Sequence, residues 1–174
     1  GVAPWERRAY YAAAARALAR LHALDPAGLG LGFAQAKPMR KGKKRLRYFA
    51  WQLQRLQRLS RLQERAGAPA VPGLGALAEL LAAEEPRVDD AEVLVHGDFK
   101  LDNLIFHPTR PEVVAMLDWE LTAVGHPAMD LANASMAYFL PAERPLPVSN
   151  MQGLRGADLR HEGLPAAADL ARVY

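Results

Sequence analysis

Between residues 96 and 118, polar side chains follow short apolar runs of the chain. His96, Asp98 and Asn103 come after the run Val93–Val95, and Asp118 follows a later apolar run. A carboxylate can orient a hydroxyl group and accept its proton. Carboxylate and amide oxygens are also ligands for hard divalent cations. We therefore expect a cleft at strand ends that combines proton transfer with metal binding.

Phosphoryl transfer from ATP requires this combination of side chains. The attacking hydroxyl needs a carboxylate to orient it, and a divalent metal must bridge the phosphates. Protein kinases use the pattern H-R-D-x-x-x-x-N for these tasks, followed by a metal-binding Asp. His96, Asp98 and Asn103 keep that spacing, with Gly97 in place of Arg, and Asp118 takes the position of the metal-binding Asp.

Two segments resemble the aminoglycoside phosphotransferase and choline kinase superfamily. They are VHGDFKLDNLIF and AMLDWELTAVGHPAMDLA, and LARLHALD is similar to a helix end of the same group. The nearest resemblance is to kinase-like domains related to acyl-CoA dehydrogenase family members. It covers most of residues 5 to 174 and is densest from His96 to Ala132.

The resemblance implies roles for individual residues, with ATP as phosphoryl donor and Mg²⁺ as cofactor. Asp98 would be the catalytic base, or the group that positions the acceptor hydroxyl. His96 would brace the catalytic loop by hydrogen bonding. Asn103 and Asp118 would be magnesium ligands, and Asp130 would accept backbone N–H bonds that hold the loop in place.

Several of these side chains also have simpler interpretations. Asp98 follows a glycine, which is typical of a turn, and Asn103 could be a cap or a turn amide. Asp130, near the start of a helix, suits the positive end of the helix dipole. The family pattern fixes no role for Asp102 or Glu120.

The other polar and aromatic residues show no ligand spacing. We interpret Phe99 and Trp119 as core or cleft wall. Four further histidines are interpreted as structural or exposed: His22, His107, His126 and His161. One of them departs from the family pattern, because relatives often have Asp where Gly125-His126-Pro127 stands here.

Helical patterns dominate the chain, so the sequence predicts an α+β fold. They cover Trp5–Ala23, Tyr48–Arg65, Leu74–Ala83, Ala128–Phe139 and, more weakly, Pro165–Val173. Strands are predicted at Val93–Val95, Leu104–Phe106 and Val113–Leu117, the last two as a hairpin. The leucine stripe of the second helix predicts packing against the core.

The resemblance implies that residues 1–174 form the mostly helical C-terminal (catalytic and substrate) lobe of a protein-kinase-like fold. A small β-hairpin would carry its catalytic loop. The chain offers no Gly-rich phosphate loop and no strand-borne Lys with a Glu partner, which belong to the N-terminal nucleotide lobe of such folds. It also begins at Gly1 without Met. We expect that lobe to be absent from this chain and the isolated chain to be inactive.

A basic segment precedes the second helix and is predicted to be a loop. Seven of the eleven residues from position 37 to 47 are cationic: Lys37, Arg40, Lys41, Lys43, Lys44, Arg45 and Arg47. Such a segment can bind anions, or it can be a solvated loop. It lacks interleaved aromatic residues and any nucleic-acid motif, so we do not expect nucleic acid as a partner.

Composition narrows the function further. The absence of Cys excludes disulfides, thiolate metal sites and a Cys nucleophile. No apolar run approaches the roughly 20 residues of a membrane span, and no signal peptide opens the sequence. We expect a soluble protein of the cytoplasm or an organelle matrix.

The predicted function of the chain is phosphorylation of a small-molecule hydroxyl, with a hydroxyacyl-CoA ranked above a polycationic aminoglycoside. The alternative is a non-catalytic kinase-like binding or scaffolding module.

Overall fold

The computed structural model of the 174-residue chain describes residues 2–31, 40–41, 44–45, 47–87, 89, 91–142 and 152–174. Within these ranges the helices are α1 (Pro4–His22), α2 (Tyr48–Arg65), α3 (Leu74–Glu84), α4 (Ala128–Phe139) and α5 (Ala167–Val173). Every predicted helix is confirmed to within two residues at each end. Helix α1 shows why, because Pro4 opens its first turn and Glu6 suits the positive end of its dipole.

Short antiparallel strand pairs flank the polar segment singled out in the sequence. The strands are β1 (Arg40–Lys41), β2 (Lys44–Arg45), β3 (Val93–Val95), β4 (Leu104–Phe106), β5 (Val113–Met116) and β6 (Ala123–Gly125). β4 and β5 form the predicted hairpin, with an irregularity between Ile105 and Phe106. β3 pairs with β6, which the sequence pattern missed because β6 consists of Ala, Val and Gly, and only Val among them favours strands.

The prediction of a loop for the basic segment is wrong where the backbone is described. β1 and β2 pair antiparallel, with Arg40 opposite Arg45 and Lys41 opposite Lys44. Charge content does not decide backbone conformation in so short a segment, because the strand ladder uses only main-chain groups. Lys37 and Lys43 lie outside the described residues.

The leucine stripe of α2 does not pack into the core as predicted. No α2 residue is buried, and Leu56, Leu59 and Leu62 expose 50%, 46% and 49% of their surface. Helix α2 contacts mainly α3. A helical period of leucines identifies an apolar face, but the period alone cannot say what covers that face.

The core lies between α1 and the strands on either side of the polar segment. It comprises Ala14, Leu18, Leu21, Leu94, Phe99 and Leu104. Because Leu94, Phe99 and Leu104 belong to β3, the following loop and β4, the loop of residues 96–103 is fixed to α1 at both ends. None of the described helices has the length and apolar character that crossing a membrane requires.

Candidate active site

The 96–103 loop connects β3 to β4 and has, directly after His96, a glycine that no other residue could easily replace. Gly97 has a φ of 89°, in the left-handed region that side chains disfavour. A Cβ at this position would also collide with the carbonyl oxygen of Leu121. Position 97 thus lets the chain turn sharply after His96 and present Asp98.

Asp130 clamps the start of this loop from inside α4. Its Oδ2 accepts a hydrogen bond from the His96 amide at 2.7 Å, and its Oδ1 accepts one from the Gly97 amide at 2.8 Å. The carboxylate is fully buried. These are the backbone contacts that the resemblance implies for Asp130, and they fix the direction in which the loop leaves β3.

A buried histidine of α1 completes the surroundings of Asp130. His22 Nε2 lies 3.0 Å from Asp130 Oδ2, and His22 Nδ1 lies 2.7 Å from the hydroxyl of Tyr174. Burial, together with the charge of Asp130, raises the pKa of the Tyr174 hydroxyl. The sequence predicts a structural or exposed role for His22, and the buried contact with Asp130 is a structural one, although the segment LARLHALD did not indicate the partner.

His96 braces the loop against the residue that follows β5, the second strand of the hairpin. Its Nε2 lies 2.8 Å from the Leu117 carbonyl oxygen, and its Nδ1 accepts the Asp98 amide N–H at 3.3 Å. These two contacts assign the ring proton to Nε2. The ring of Trp119 lies beside it, with centroids 4.7 Å apart. His96 is fully buried, so its surroundings are those of a structural group.

The carboxylate of Asp98 is half-buried and holds two hydrogen bonds on one oxygen. Lys100 Nζ donates to Oδ2 at 2.6 Å, and Asn103 Nδ2 donates to the same oxygen at 3.1 Å. The hydrogen bond from Lys100 is the main reason that the pKa of Asp98 lies below its ordinary value. Partial burial opposes this shift, and the Asn103 bond adds to it. Asp98 is therefore an ionised acceptor at neutral pH.

Lys100 was not singled out in the sequence, yet it lies among several carboxylates. Its pKa is raised, first by the hydrogen bond to Asp98 and further by the charges of Asp98, Asp102 and Asp118. Its side chain is 35% exposed. Its position two residues after the candidate base Asp98 is the feature of the sequence that could have identified Lys100.

The backbone brings Asp118 next to Asn103. The Leu117 amide donates to the Asn103 carbonyl oxygen at 2.8 Å, which continues the β4–β5 pairing by one step. The Asn103 side-chain nitrogen is bound to Asp98, including the Asp98 backbone carbonyl at 2.9 Å. The amide oxygen of Asn103 is therefore the atom directed away from Asp98.

Asp118 has a left-handed backbone, with φ 66° and ψ 58°. Among the described non-glycine residues it is the one with positive φ. Such conformations persist where surrounding structure enforces them, and they cluster at functional sites. No described cluster of three or more His, Asp or Glu forms a metal site. A site built from Asn103 and Asp118 would instead rely on one amide and one carboxylate of the protein, completed by phosphate and water oxygens.

The remaining predicted residues lie outside this cluster of contacts. Asp102 and Glu120 are exposed. Of the basic segment, Arg47 alone has a described side chain, and it contacts Glu85 at 3.4 Å and the Pro86 carbonyl at 3.1 Å. Phe99 is core, as predicted, whereas Trp119 forms an exposed wall of the site.

A cavity of about 580 Å³ adjoins the 96–103 loop. Residues of α1, α4, α5 and the loop line it, with Lys100 and Asp102 at the loop side. Two hydroxyl groups of its walls already have partners. The Tyr138 hydroxyl donates to the Pro165 carbonyl at 2.9 Å, and the Ser135 hydroxyl donates to the Leu131 carbonyl at 2.6 Å. The surface left to a ligand is mainly apolar.

Comparison with known proteins agrees with this geometry. A sequence model described as the phosphotransferase enzyme family matches residues 2–170. Human acyl-CoA dehydrogenase family member 11 is 35% identical over 174 residues, and mouse acyl-CoA dehydrogenase family member 10 is also 35% identical. Each alignment covers the whole chain, but the chain spans only 20% and 15% of these relatives.

Solved structures share the fold. A Ralstonia eutropha JMP134 protein assigned as an aminoglycoside phosphotransferase superposes with a TM-score of 0.77 at 33% identity, covering all of this chain and 48% of that one. A macrolide 2'-phosphotransferase type I superposes with a TM-score of 0.56 at 22% identity, covering 99% of this chain and 51% of that one, which supports the fold alone. The family match over nearly the whole chain leads to one conclusion: this chain belongs to the phosphotransferase enzyme family.

Proposed function

We propose that this chain provides the catalytic base and metal ligands for ATP-dependent phosphorylation of a small-molecule hydroxyl. The observation that carries the proposal is the double hydrogen bond on Asp98 Oδ2 from Lys100 and Asn103. It keeps the carboxylate ionised and fixes its orientation, and it leaves Oδ1 for an acceptor hydroxyl. A base must lie within hydrogen-bond reach of the proton that it removes.

The proposed reaction is a single transfer step. The acceptor O–H bond breaks as its proton moves to Asp98, and the acceptor oxygen bonds to the γ-phosphorus of ATP. The bond between that phosphorus and the β–γ bridging oxygen breaks, and ADP leaves. Most of the rate enhancement in such reactions comes from positioning and electrostatic stabilisation. Asp130 and His96 would contribute to positioning by holding the 96–103 loop.

Magnesium fits the donor set of this site. Asn103 directs its amide oxygen away from Asp98. Asp118 adds a carboxylate, and it directly follows Leu117, whose backbone amide bonds to the Asn103 carbonyl oxygen. Both are hard oxygen ligands of the kind Mg²⁺ prefers. When bound, the ion supplies neutralisation of the ATP phosphates. Asn103 and Asp118 would hold it, and the backbone strain at Asp118 is consistent with such a task.

A complete enzyme would need a second, N-terminal lobe to bind the nucleotide. This chain spans about half of the solved phosphotransferase structures that it matches. We infer that residues 1–174 are the C-terminal lobe and that the chain alone would not transfer phosphate at a useful rate. Robust phosphorylation by residues 1–174 alone would contradict this division.

Two features support an acceptor that is both anionic and partly apolar. The cavity beside the 96–103 loop offers an apolar surface, which suits an acyl chain better than a polycationic sugar. The basic segment would attract the phosphates of coenzyme A and repel a polycation. A hydroxyacyl-CoA combines both properties, and relatives named as acyl-CoA dehydrogenase family members agree with this choice.

The test is Asp98→Asn in the parent protein that contains this chain and its nucleotide lobe. Loss of a general base lowers turnover by roughly 10²–10⁴-fold, whereas the isosteric amide should leave the fold intact. Steady-state kinetics and circular dichroism would be measured on both proteins. Asp158→Asn, at an exposed turn, is the matched control. Near-parental turnover in Asp98→Asn would exclude Asp98 as the base, whereas no turnover in the parent protein itself would favour a non-catalytic binding or scaffolding module.

A further inference from the structure

A path of hydrogen bonds leads from the wall of the cavity to the backbone of the loop after β3. The hydroxyl of Tyr174, the residue that follows α5, lies 2.7 Å from His22 Nδ1, and His22 Nε2 lies 3.0 Å from Asp130 Oδ2. Asp130 in turn accepts hydrogen bonds from both backbone amides at the start of that loop. Tyr174 lines the cavity, whereas His22 and Asp130 lie behind its wall. Tyr174 is therefore the member of this path that a molecule in the cavity can touch.

The Asp130 carboxylate determines the direction of each hydrogen bond in the path. A carboxylate can only accept, so His22 Nε2 carries the proton that it donates to Asp130 Oδ2. In the neutral imidazole the other ring nitrogen is an acceptor, and it accepts the O–H of Tyr174. The Tyr174 hydroxyl thus favours the His22 tautomer that binds Asp130.

Helix α5, which positions Tyr174, has little packing of its own. All seven of its residues are described, and none of them is buried. A helix of this length is marginal in water without tertiary contacts. Its apolar residues, such as Ala167 and Leu170, line the cavity. An ion pair of 2.7 Å between Arg8 and Asp169 joins α5 to α1, but exposed pairs of this kind contribute little.

An apolar molecule in the cavity would complete the packing of α5. It would remove the apolar side of this helix from water, together with part of the Tyr174 ring, which is 37% exposed. Shielding from water also strengthens the hydrogen bond between Tyr174 and His22. By linkage, whatever favours this position of α5 also favours the loop geometry that the path supports.

We propose that Tyr174 is a positioning residue that couples occupation of the cavity by an acyl chain to the order of the 96–103 loop. The loop that presents Asp98 would then be held most firmly when the acyl chain of the acceptor is in place. This deepens the proposed function and rests on it, because the acyl chain is the proposed occupant. It gives the enzyme a means to favour acceptors whose chain fills the cavity.

Hydrogen exchange of the parent protein, measured by mass spectrometry on peptides that span residues 96–103, tests this coupling without turnover. Saturating hexanoyl-CoA, which lacks an acceptor hydroxyl, should slow exchange of the amides that Asp130 holds by about 2- to 10-fold, the factor that one net hydrogen bond supplies. Free coenzyme A, which has no acyl chain, should not slow it. Tyr174→Phe keeps the ring and removes the hydroxyl, so hexanoyl-CoA should bind this variant without protecting the loop.

Tyr10→Phe is the matched control, because it makes the same chemical change on α1. Tyr10 packs against Phe106, with ring centroids 5.2 Å apart, and does not line the cavity. This variant should show the protection of the parent. Calorimetry on the same samples measures whether hexanoyl-CoA is bound.

Three outcomes would each overturn the coupling: equal protection in Tyr174→Phe, equal protection by free coenzyme A, or no protection of the parent by hexanoyl-CoA. If Tyr174→Phe does not fold, the comparison of hexanoyl-CoA with free coenzyme A in the parent still decides. Near-parental turnover in Asp98→Asn would instead contradict the proposed function, so the two failures remain distinguishable.

Discussion

His22 and Asp130 are separated by 108 residues, and yet His22 Nε2 lies 3.0 Å from Asp130 Oδ2 in the buried centre of the site. The same Asp130 carboxylate accepts hydrogen bonds from the backbone amides of His96 and Gly97. Through this contact the end of α1 is linked to the loop that presents Asp98. The catalytic geometry therefore depends on a helix that contributes none of the proposed catalytic groups.

Replacement of His22 should loosen the 96–103 loop. His22→Phe removes a hydrogen-bonding partner from a fully buried carboxylate, which costs about 1–3 kcal/mol. We expect faster hydrogen exchange at the His96 and Gly97 amides and a lower unfolding temperature of the parent protein. His161→Phe is the control, because His161 is exposed. Unchanged exchange at both amides in His22→Phe would show that Asp130 holds the loop without help from α1.

Removal of either proposed metal ligand should weaken the response to magnesium. Asn103→Ala and Asp118→Ala each remove one oxygen from a hard-cation site. Asp118→Ala should shift the magnesium activation curve further, because it removes a charge as well as an oxygen. Activity of the parent protein would be titrated with Mg²⁺, with Glu120→Ala as the control for an exposed acid nearby. Identical curves for Asn103→Ala, Asp118→Ala and the parent would exclude both residues as ligands.

The contact between Lys100 and Asp98 predicts a pH dependence. Lys100 stabilises the ionised carboxylate, so the pKa of Asp98 lies below its ordinary value. The stabilisation from this contact is present above the pKa of Asp98 in the unfolded chain, and it is lost as pH falls through the lower pKa of the folded state. In Lys100→Met the pKa of Asp98 should rise. Carbon-13 NMR titration of the aspartate carboxyls measures this, and a pKa that stays in place in Lys100→Met would contradict it. Arg110→Met should leave the pKa of Asp98 unchanged.

Local patterns in the sequence predicted the helices and the β4–β5 hairpin. Helical period, Pro and Gly positions, and short apolar runs act over a few residues, and so they can be recognised without tertiary information. The spacing of His96, Asp98 and Asn103 belongs to the same class of local signal. It identified a loop whose contacts are now described.

Contacts between distant segments could not be predicted in this way. Nothing in the local sequence indicates that His22 meets Asp130, or that Leu56, Leu59 and Leu62 of α2 remain exposed. Strand β6 contains Ala and Gly, which strands disfavour, and it forms because β3 supplies a partner for it. Lys100 was missed for a different reason. Its importance follows from the 2.6 Å distance to Asp98, which residue type alone does not reveal.

The identity of the acceptor gives the last prediction. If the basic segment attracts coenzyme A, the parent protein should prefer 4-hydroxyacyl-CoA to kanamycin, and added salt should weaken this preference by screening the cations. Neutralising Arg40, Lys41, Lys44 and Arg45 together should raise KM for the acyl-CoA more than it lowers kcat, because the segment would act in binding. The control is a variant in which three cations of α2 are neutralised instead: Arg55, Arg58 and Arg61. The assay is a competition between the two acceptors across a salt series.

Preference for kanamycin would argue against a hydroxyacyl-CoA acceptor. Acyl-CoA turnover unaffected by both salt and neutralisation would leave the apolar cavity as the remaining source of acceptor selectivity. Ala134→Trp tests the cavity, because a large side chain at this position would occupy the space proposed for the acyl chain.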